Sequence, residues 1–95
     1  MKLQQLLESI ENRILEATGA LAAFVGEING STAELRLRFY SLMDLDHIHR
    51  ALTNLKRLLR SYGLIVRKPR LEAIQDSLEL VVEIVEAKTA DLYHT

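Results

Sequence analysis

Apolar and polar positions alternate on both sides of Asn29-Gly30, which is typical of a β-hairpin over residues 20–39. An Asn-Gly pair favours a two-residue type I′ turn, because both residues tolerate positive φ. This turn fixes the register, and the register gives the ribbon one apolar and one mixed face. The predicted partners are Ile28–Ser31, Gly26–Ala33, Phe24–Leu35, Ala22–Leu37 and Ala20–Phe39 on the apolar face, and Glu27–Thr32, Val25–Glu34, Ala23–Arg36 and Leu21–Arg38 on the mixed face.

Helical spacing of apolar residues predicts a first helix over residues 2–18 and a second helix over residues 42–62. Gly19 and Gly63 follow these helices at the position where a glycine commonly ends a helix. Residues 41–44 match a capping box for the second helix, with Ser at the first position and Asp at the last.

The spacing predicts a third helix with Pro69 in its first turn and its end at about residue 87 or as far as residue 92, while residues 64–67 fit a short strand or a loop equally well. The predicted helix has two apolar stripes, whereas a surface helix needs one. Either it is buried between the hairpin and another helix, or its second stripe meets another subunit. The first stripe is Leu71, Ile74, Leu78, Val81, Val82 and Val85, the second is Ala73, Leu80, Ile84 and Ala87, and an acidic arc holds Glu72, Asp76, Glu79, Glu83 and Glu86.

These elements predict one α+β domain over residues 1–95, with three amphipathic helices packed on an antiparallel β-hairpin in the order α-β-β-α-(β)-α. The edges of the hairpin invite another strand, either from residues 64–67 or from the hairpin of a second subunit. Residues 34–67 resemble the strand–helix–strand unit of ferredoxin-like regulatory domains. This likeness covers about a third of the chain and carries no ligand motif.

The composition favours a cytoplasmic protein. The 95 residues contain no Cys, which excludes disulfides, thiolate metal sites and cysteine nucleophiles. Residues 1–18 lack the basic start and the continuous apolar core of a signal peptide. No apolar run approaches the roughly 20 residues that span a bilayer. We therefore expect a cytoplasmic location and no contact with a membrane.

The net charge of −1 conceals an uneven distribution. Residues 44–70 carry seven cations and two anions, a balance of +5, and residues 71–95 carry one cation and six anions, a balance of −5. The basic residues are able to bind phosphates, although no aromatic residues alternate with them as in a surface for single-stranded nucleic acid. Alternatively, they pair with the acidic arc, within one chain or between two. The basic set is Arg50, Lys56, Arg57, Arg60, Arg67, Lys68 and Arg70.

Asp44, Asp46, His47 and His49 are residue types that bind metals, but their spacing argues against a metal site. His47 and His49 lie two positions apart on a helix and point in separate directions, because only residues three or four apart converge. Asp46 fits a local ion pair with Arg50, and Asp44 fits a cap. The chain also lacks a nucleophile–base pair, a phosphate-binding loop and a dinucleotide motif. We therefore predict no metal, no cofactor and no enzymatic activity.

The sequence thus predicts a small protein-binding module that forms a homodimer or a higher assembly. Binding of a different protein instead of a second copy is the other form of this hypothesis. The alternative is a nucleic-acid or anionic-ligand binding domain that uses the basic set. The predicted protein interface combines the second stripe of the third helix with an edge of the hairpin and consists of Ala73, Leu80, Ile84, Ala87, Leu21 and Val25.

Overall fold

The chain folds into a four-stranded antiparallel sheet whose inner face packs against the helices, which confirms the α+β class. The computed structural model describes residues 2–87. The strand order is β1-β2-β4-β3, so β1 and β3 form the two edges of the sheet. The elements are α1 Leu3–Ser9, α2 Glu11–Thr18, β1 Ala22–Asn29, β2 Thr32–Tyr40, α3 Leu45–Arg60, β3 Leu64–Ile74 and β4 Ser77–Glu86.

The first predicted helix consists of two short helices that meet at Ile10. The backbone of Ile10, at φ −109° and ψ 16°, departs from helical geometry and separates α1 from α2. Gly19 ends α2 in the left-handed conformation at φ 72°, and its N–H donates to the Leu15 carbonyl at 2.8 Å. The end of this helix is therefore where the glycine predicted it.

Helix α3 begins at Leu45 rather than at residue 42, because Asp44 is its N-cap. The Asp44 carboxylate accepts a hydrogen bond from the His47 N–H at 2.7 Å. Ser41 lies in the turn before the helix, so the predicted capping box is wrong. Beyond the end of α3, Gly63 adopts a left-handed φ of 74° and leads into β3.

The predicted third helix is wrong, because residues 69–87 belong to a second hairpin. β3 starts in the segment that fitted either strand or loop and continues to Ile74, and β4 returns after a two-residue turn. β4 is rich in branched apolar residues, which favour strands. Its inner and outer positions both carry apolar side chains, and together these produced the two apparent helical stripes. The inner positions of β4 are Leu78, Leu80, Val82 and Ile84, and the outer ones include Val81 and Val85.

The first hairpin forms around Asn29, but with a turn that differs from the predicted one. Neither Asn29 nor Gly30 has a positive φ, so the turn is not type I′. The Asn29 side chain instead accepts a hydrogen bond from the Ser31 N–H at 2.9 Å, which makes an Asx turn. Ile28 is an extra residue, a β-bulge between Glu27 and Asn29.

The turn lies at Gly30-Ser31, one residue later than predicted, and together with the bulge it shifts the register by one residue and exchanges the two faces of β1. Leu35 pairs with Val25 rather than with Phe24, and Phe24 pairs with Arg36 on the outer face. A shift of one residue always moves every side chain of a strand to the opposite face. β2 keeps its predicted orientation, and its buried inner residues are Ala33, Leu35, Leu37 and Phe39.

β2, α3 and β3 form a split β-α-β unit. β2 and β3 each pair antiparallel with β4 between them, so they run parallel to one another, and α3 connects them. The strand–helix–strand unit predicted for residues 34–67 is therefore present. Buried core side chains come from every element except β1, which contributes only partly buried residues. Within the described range, no helix combines the length and the apolar content that crossing a bilayer demands.

Candidate functional site

The predicted interface of Ala73, Leu80, Ile84 and Ala87 does not form a shared surface. Leu80 and Ile84 lie on the inner face of β4, where they are 3% and 0% exposed. Ala73 is exposed near the end of β3, and Ala87 follows β4. The prediction placed these four residues on one stripe of a third helix. They are dispersed because this segment forms the strands β3 and β4 instead.

The outer edge of β1 is open, because no strand among residues 2–87 pairs with it. The Glu86 N–H donates to the Ser31 carbonyl at 3.3 Å, so the odd-numbered residues of β2 bond to β4 and the even-numbered ones bond to β1. Their even-numbered partners in β1 therefore bond inward. The odd-numbered residues of β1 direct their N–H and C=O groups away from the sheet, and these are Ala23, Val25 and Glu27.

β1 has few of the features that protect a sheet edge from other strands. Protected edges commonly contain Lys, Pro or a bulge. From Ala22 to Glu27 the pairing of β1 is regular, and this stretch contains no Lys or Pro and only one charge, that of Glu27. Phe24 and Ile28 add exposed apolar surface along the same strand, and Leu21 adds more directly before it. The bulge at Ile28 lies next to the turn and leaves most of the edge regular.

The edge formed by β3 is interrupted near its middle. Lys68 has a positive φ of 52°, and it forms with Pro69 a bulge between Arg67 and Arg70. Pro69 has no N–H group to offer to another strand. The charges of Arg67, Lys68 and Arg70 add a further barrier to pairing.

The outer face of the sheet is covered by ion pairs, because the helices pack only on the inner face. Arg36 on β2 lies at the centre of this ion-pair network and contacts Glu34 at 2.6 Å, Glu72 at 2.9 Å and Glu79 at 3.1 Å. Arg38 lies 3.0 Å from the second oxygen of Glu79 and places its guanidinium 4.8 Å from the centroid of the Phe24 ring. The charged residues thus form matched pairs across the outer surface of β2, β4 and β3.

Val81 and Glu79 are buried on this outer face, at 0% and 3% exposure. The neighbours of Val81 across the sheet are Arg36 on β2 and Arg70 on β3, and we attribute its burial to their aliphatic stems. Glu79 accepts three hydrogen bonds from Arg36 and Arg38. These bonds offset the large desolvation penalty of a buried carboxylate.

The ion pairs hold the pKa of two carboxylates below the usual range. Hydrogen bonds from Arg70 and then Arg36 lower the pKa of Glu72. A hydrogen bond from Arg67 lowers the pKa of Glu83. Hydrogen bonds to the surrounding carboxylates, led by Glu72, raise the pKa of the Arg36 guanidinium. Glu72 and Glu83 are therefore charged near neutral pH.

The structure divides the predicted basic set into two groups. Arg67 pairs with Glu83, Lys68 lies 3.7 Å from the same carboxylate, and Arg70 lies 2.9 Å from Glu72. For this group, pairing with the acidic residues occurs within one chain. The second group lies on α3, and no carboxylate of residues 2–87 comes within 4.0 Å of its members, which are Arg50, Lys56, Arg57 and Arg60.

Three members of the second group line a pocket between the end of α3 and the start of β3. We call it the cationic pocket, and its volume is about 440 Å³. Pockets of this size are common among small-molecule sites. Its lining residues are Lys56, Arg57, Arg60, Leu64, Ile65 and Val66.

Asp44 and His47, near the start of α3, have structural positions. Asp44 caps the helix, and the ring of His47 packs edge-on against Phe39 with the centroids 6.3 Å apart. The predicted ion pair between Asp46 and Arg50 is not among the salt bridges of the described residues. Across residues 2–87, no three His, Asp or Glu side chains come together as metal ligands would.

Sequence reasoning missed the ion-pair network around Arg36 and the buried Glu79. A signal was present, because Glu34, Arg36 and Arg38 occupy alternate positions between the apolar residues of β2. Such alternation marks a charged strand face, and a second charged strand beside it supplies the partners. No family model, curated protein or solved structure matches this chain.

Proposed function

We propose that this protein is a self-associating interaction module whose contact surface is the open edge of β1. Two copies join their β1 strands antiparallel across a twofold axis and form one continuous sheet. The observation that supports it is the row of outward backbone groups on a strand that lacks protection. The hairpin edge expected from the sequence, with Leu21 and Val25, keeps its role, whereas the apolar residues of β4 lose theirs to the core.

The backbone of β1 suits a second copy of itself. An antiparallel pair centred on Phe24 places Ala23 opposite Val25 of the second copy, and both residues direct their N–H and C=O groups outward. They are therefore able to exchange hydrogen bonds in the manner of an antiparallel ladder. The same centre brings the two Phe24 side chains together at a position without hydrogen bonds, where side chains approach most closely.

The side chains of β1 are also compatible with this pairing. Ala22 lies opposite Gly26 of the second copy, so small residues flank the two aromatic rings on the outer face. Glu27 lies opposite Leu21 of the second copy, so the two Glu27 carboxylates of the dimer are far apart. An aromatic pair adds about 0.5–1.5 kcal/mol beyond the area that it buries.

Sedimentation equilibrium over a range of protein concentrations tests this association. We expect the wild type to show a reversible monomer–dimer equilibrium. Ala23→Pro removes an outward N–H that forms no bond within the monomer. The fold should tolerate this proline, because edge strands accept proline where the N–H would face solvent. We expect this variant to stay folded by circular dichroism and to dimerise at least about tenfold more weakly, because each twofold-related site loses a hydrogen bond.

Ala73→Pro provides the matched control at the other edge. Ala73 pairs with Leu78 at a position where β3 does not bond to β4, so its N–H also faces outward. We expect dimerisation of this variant to equal that of the wild type. A wild-type protein that is monomeric at high micromolar concentration, or equal weakening by both proline variants, would contradict association through β1.

A further inference from the structure

We propose that the cationic pocket binds a compact phosphate-bearing small molecule. This site is independent of the association proposed for β1, because it lies beside β3 at the opposite edge of the sheet. Its three cations are Lys56, Arg57 and Arg60, which lie within two turns of α3.

The absence of ion pairs separates these three cations from the cations of the sheet. Every Arg and Lys on the sheet strands has a carboxylate within 4.0 Å, whereas the three pocket cations have none among residues 2–87. Arg57 and Arg60 lie in the last turn of α3, where they oppose the negative end of the helix dipole. That dipole end corresponds to roughly half a charge, so most of the positive charge is left for a ligand.

Backbone donors at the start of β3 add to the cations. The Ala87 N–H donates to the Gly63 carbonyl at 2.9 Å, so odd-numbered residues at this end of β3 face β4. Leu64 and Val66 therefore direct their N–H groups toward the free edge, and both line the pocket. Backbone N–H groups beside Lys and Arg form the charge-assisted hydrogen bonds that bind phosphate oxygens.

The shape of the charged surface favours a compact ligand over a nucleic acid. The basic set would form a long stripe only if the β3 cations were free, and Arg67, Lys68 and Arg70 are paired with carboxylates instead. No aromatic side chain lines the pocket, so it offers no surface for stacking bases. Leu64, Ile65 and Val66 line the strand side of the pocket, and these apolar residues suit the uncharged part of a small ligand.

Titration with inorganic pyrophosphate, followed by the amide signals in two-dimensional NMR and by calorimetry, tests the site. At about 50 mM salt, where phosphate contacts are strong, we expect saturable shifts concentrated in residues 56–66 and a Kd below about 1 mM. The triple variant Lys56→Gln, Arg57→Gln, Arg60→Gln should bind at least about tenfold more weakly. An absence of saturable shifts would overturn the proposal.

A second triple variant, Arg67→Gln, Lys68→Gln, Arg70→Gln, removes the same amount of charge from the paired group. We expect it to bind pyrophosphate within about threefold of the wild type, because its cations are already neutralised. Equal loss in both triple variants would overturn the assignment to the pocket. A parallel titration with a short mixed-sequence DNA strand covers the other ligand class. Much tighter binding of DNA than of pyrophosphate, weakened by both variants, would overturn a compact ligand in favour of nucleic acid.

Discussion

The two edges of the sheet differ in how far they are protected from pairing with another strand. β3 interrupts its outer edge with the positive φ of Lys68, with Pro69 and with three cations, whereas β1 presents a regular run of backbone groups with one charge. Both edges belong to hairpins of similar length, so strand length does not explain the difference. A protein that needed only to remain a monomer would gain from protecting both edges. This difference is the main support for the association that we propose through β1.

The strands β1 and β4 also differ in how far their side chains are buried. β1 contributes no fully buried residue, and its inner side chains Ala23 and Val25 are small. β4 is buried on both faces, by the helices on one side and by the ion-pair network on the other. The edge at β1 is therefore the less stabilised part of the sheet, and partner binding would stabilise it most.

The largest expected effect comes from charging the strand between the edges. Leu80→Asp combined with Ile84→Asp places two carboxylates in the core, where unpaired charges are strongly destabilising. We expect the double variant to be unfolded, since the penalty approaches the roughly 5–15 kcal/mol that stabilises a domain. Circular dichroism and thermal melting provide the measurement. A folded monomeric double variant would show instead that these residues form the association surface.

Removing the protection of β3 should make the two edges alike. Deleting Lys68 and replacing Pro69→Val restores regular pairing with β4, because one residue then stands opposite Val82 instead of two. We expect assemblies larger than a dimer, since the chain would then have two open edges. Light scattering after size-exclusion chromatography measures the mass. A variant with the same mass distribution as the wild type would show that the bulge is not what keeps this edge free.

Protecting β1 should have the converse, smaller effect. Gly26→Lys adds a side chain into open space on the outer face, since an added Cβ meets no atom within 4 Å. We expect the monomer to be stabilised by about 0.5–1 kcal/mol, because a strand glycine is replaced. An edge lysine should weaken dimerisation about tenfold in sedimentation experiments. Gly26→Ala is the control, and it should retain dimerisation. Equal dimerisation of both variants would count against the β1 pairing.

The smallest effect concerns pH, and it separates the charged β3 side from β1. The pKa of Glu72 is lowered in the folded chain, so its pairing stabilises the fold above the ordinary glutamate pKa of about 4.3. This stabilisation is lost as pH falls through the lowered folded pKa. Glu72→Gln should therefore lower the melting temperature at pH 7 by about 2 °C and change it less at pH 3. An identical difference at both pH values would contradict a charged role for Glu72.

The sequence predicted the regular parts of this fold and missed the irregular ones. The apolar residues of β2 alternate with Glu34, Arg36 and Arg38, and the inner face of this strand was predicted correctly. The bulge at Ile28 has no local signal, because an Asx turn at Asn29 competes with the type I′ turn that Asn-Gly favours. β1 was therefore assigned the wrong faces.

The second hairpin could not be assigned from spacing alone. β4 has apolar residues on both faces, so its residues satisfy a helical period and a strand period together. The burial of Val81 on the outer face depends on the ion-pair network, and this network is not visible in the spacing of the residues. The two candidate surfaces had different outcomes. An open edge of the first hairpin was predicted and is present at β1. The surface with Leu80 and Ile84 required a third helix, and without this helix both residues belong to the core.

Hydrogen exchange of single amides at two protein concentrations tests the open edge most directly. The Val25 N–H faces outward from β1, and the Ala73 N–H faces outward from β3. Association through β1 predicts that exchange at Val25 slows as the concentration rises through the dimerisation range, while exchange at Ala73 stays fast. Fast exchange of Val25 in a sample that sedimentation shows to be dimeric would contradict β1 as the contact surface.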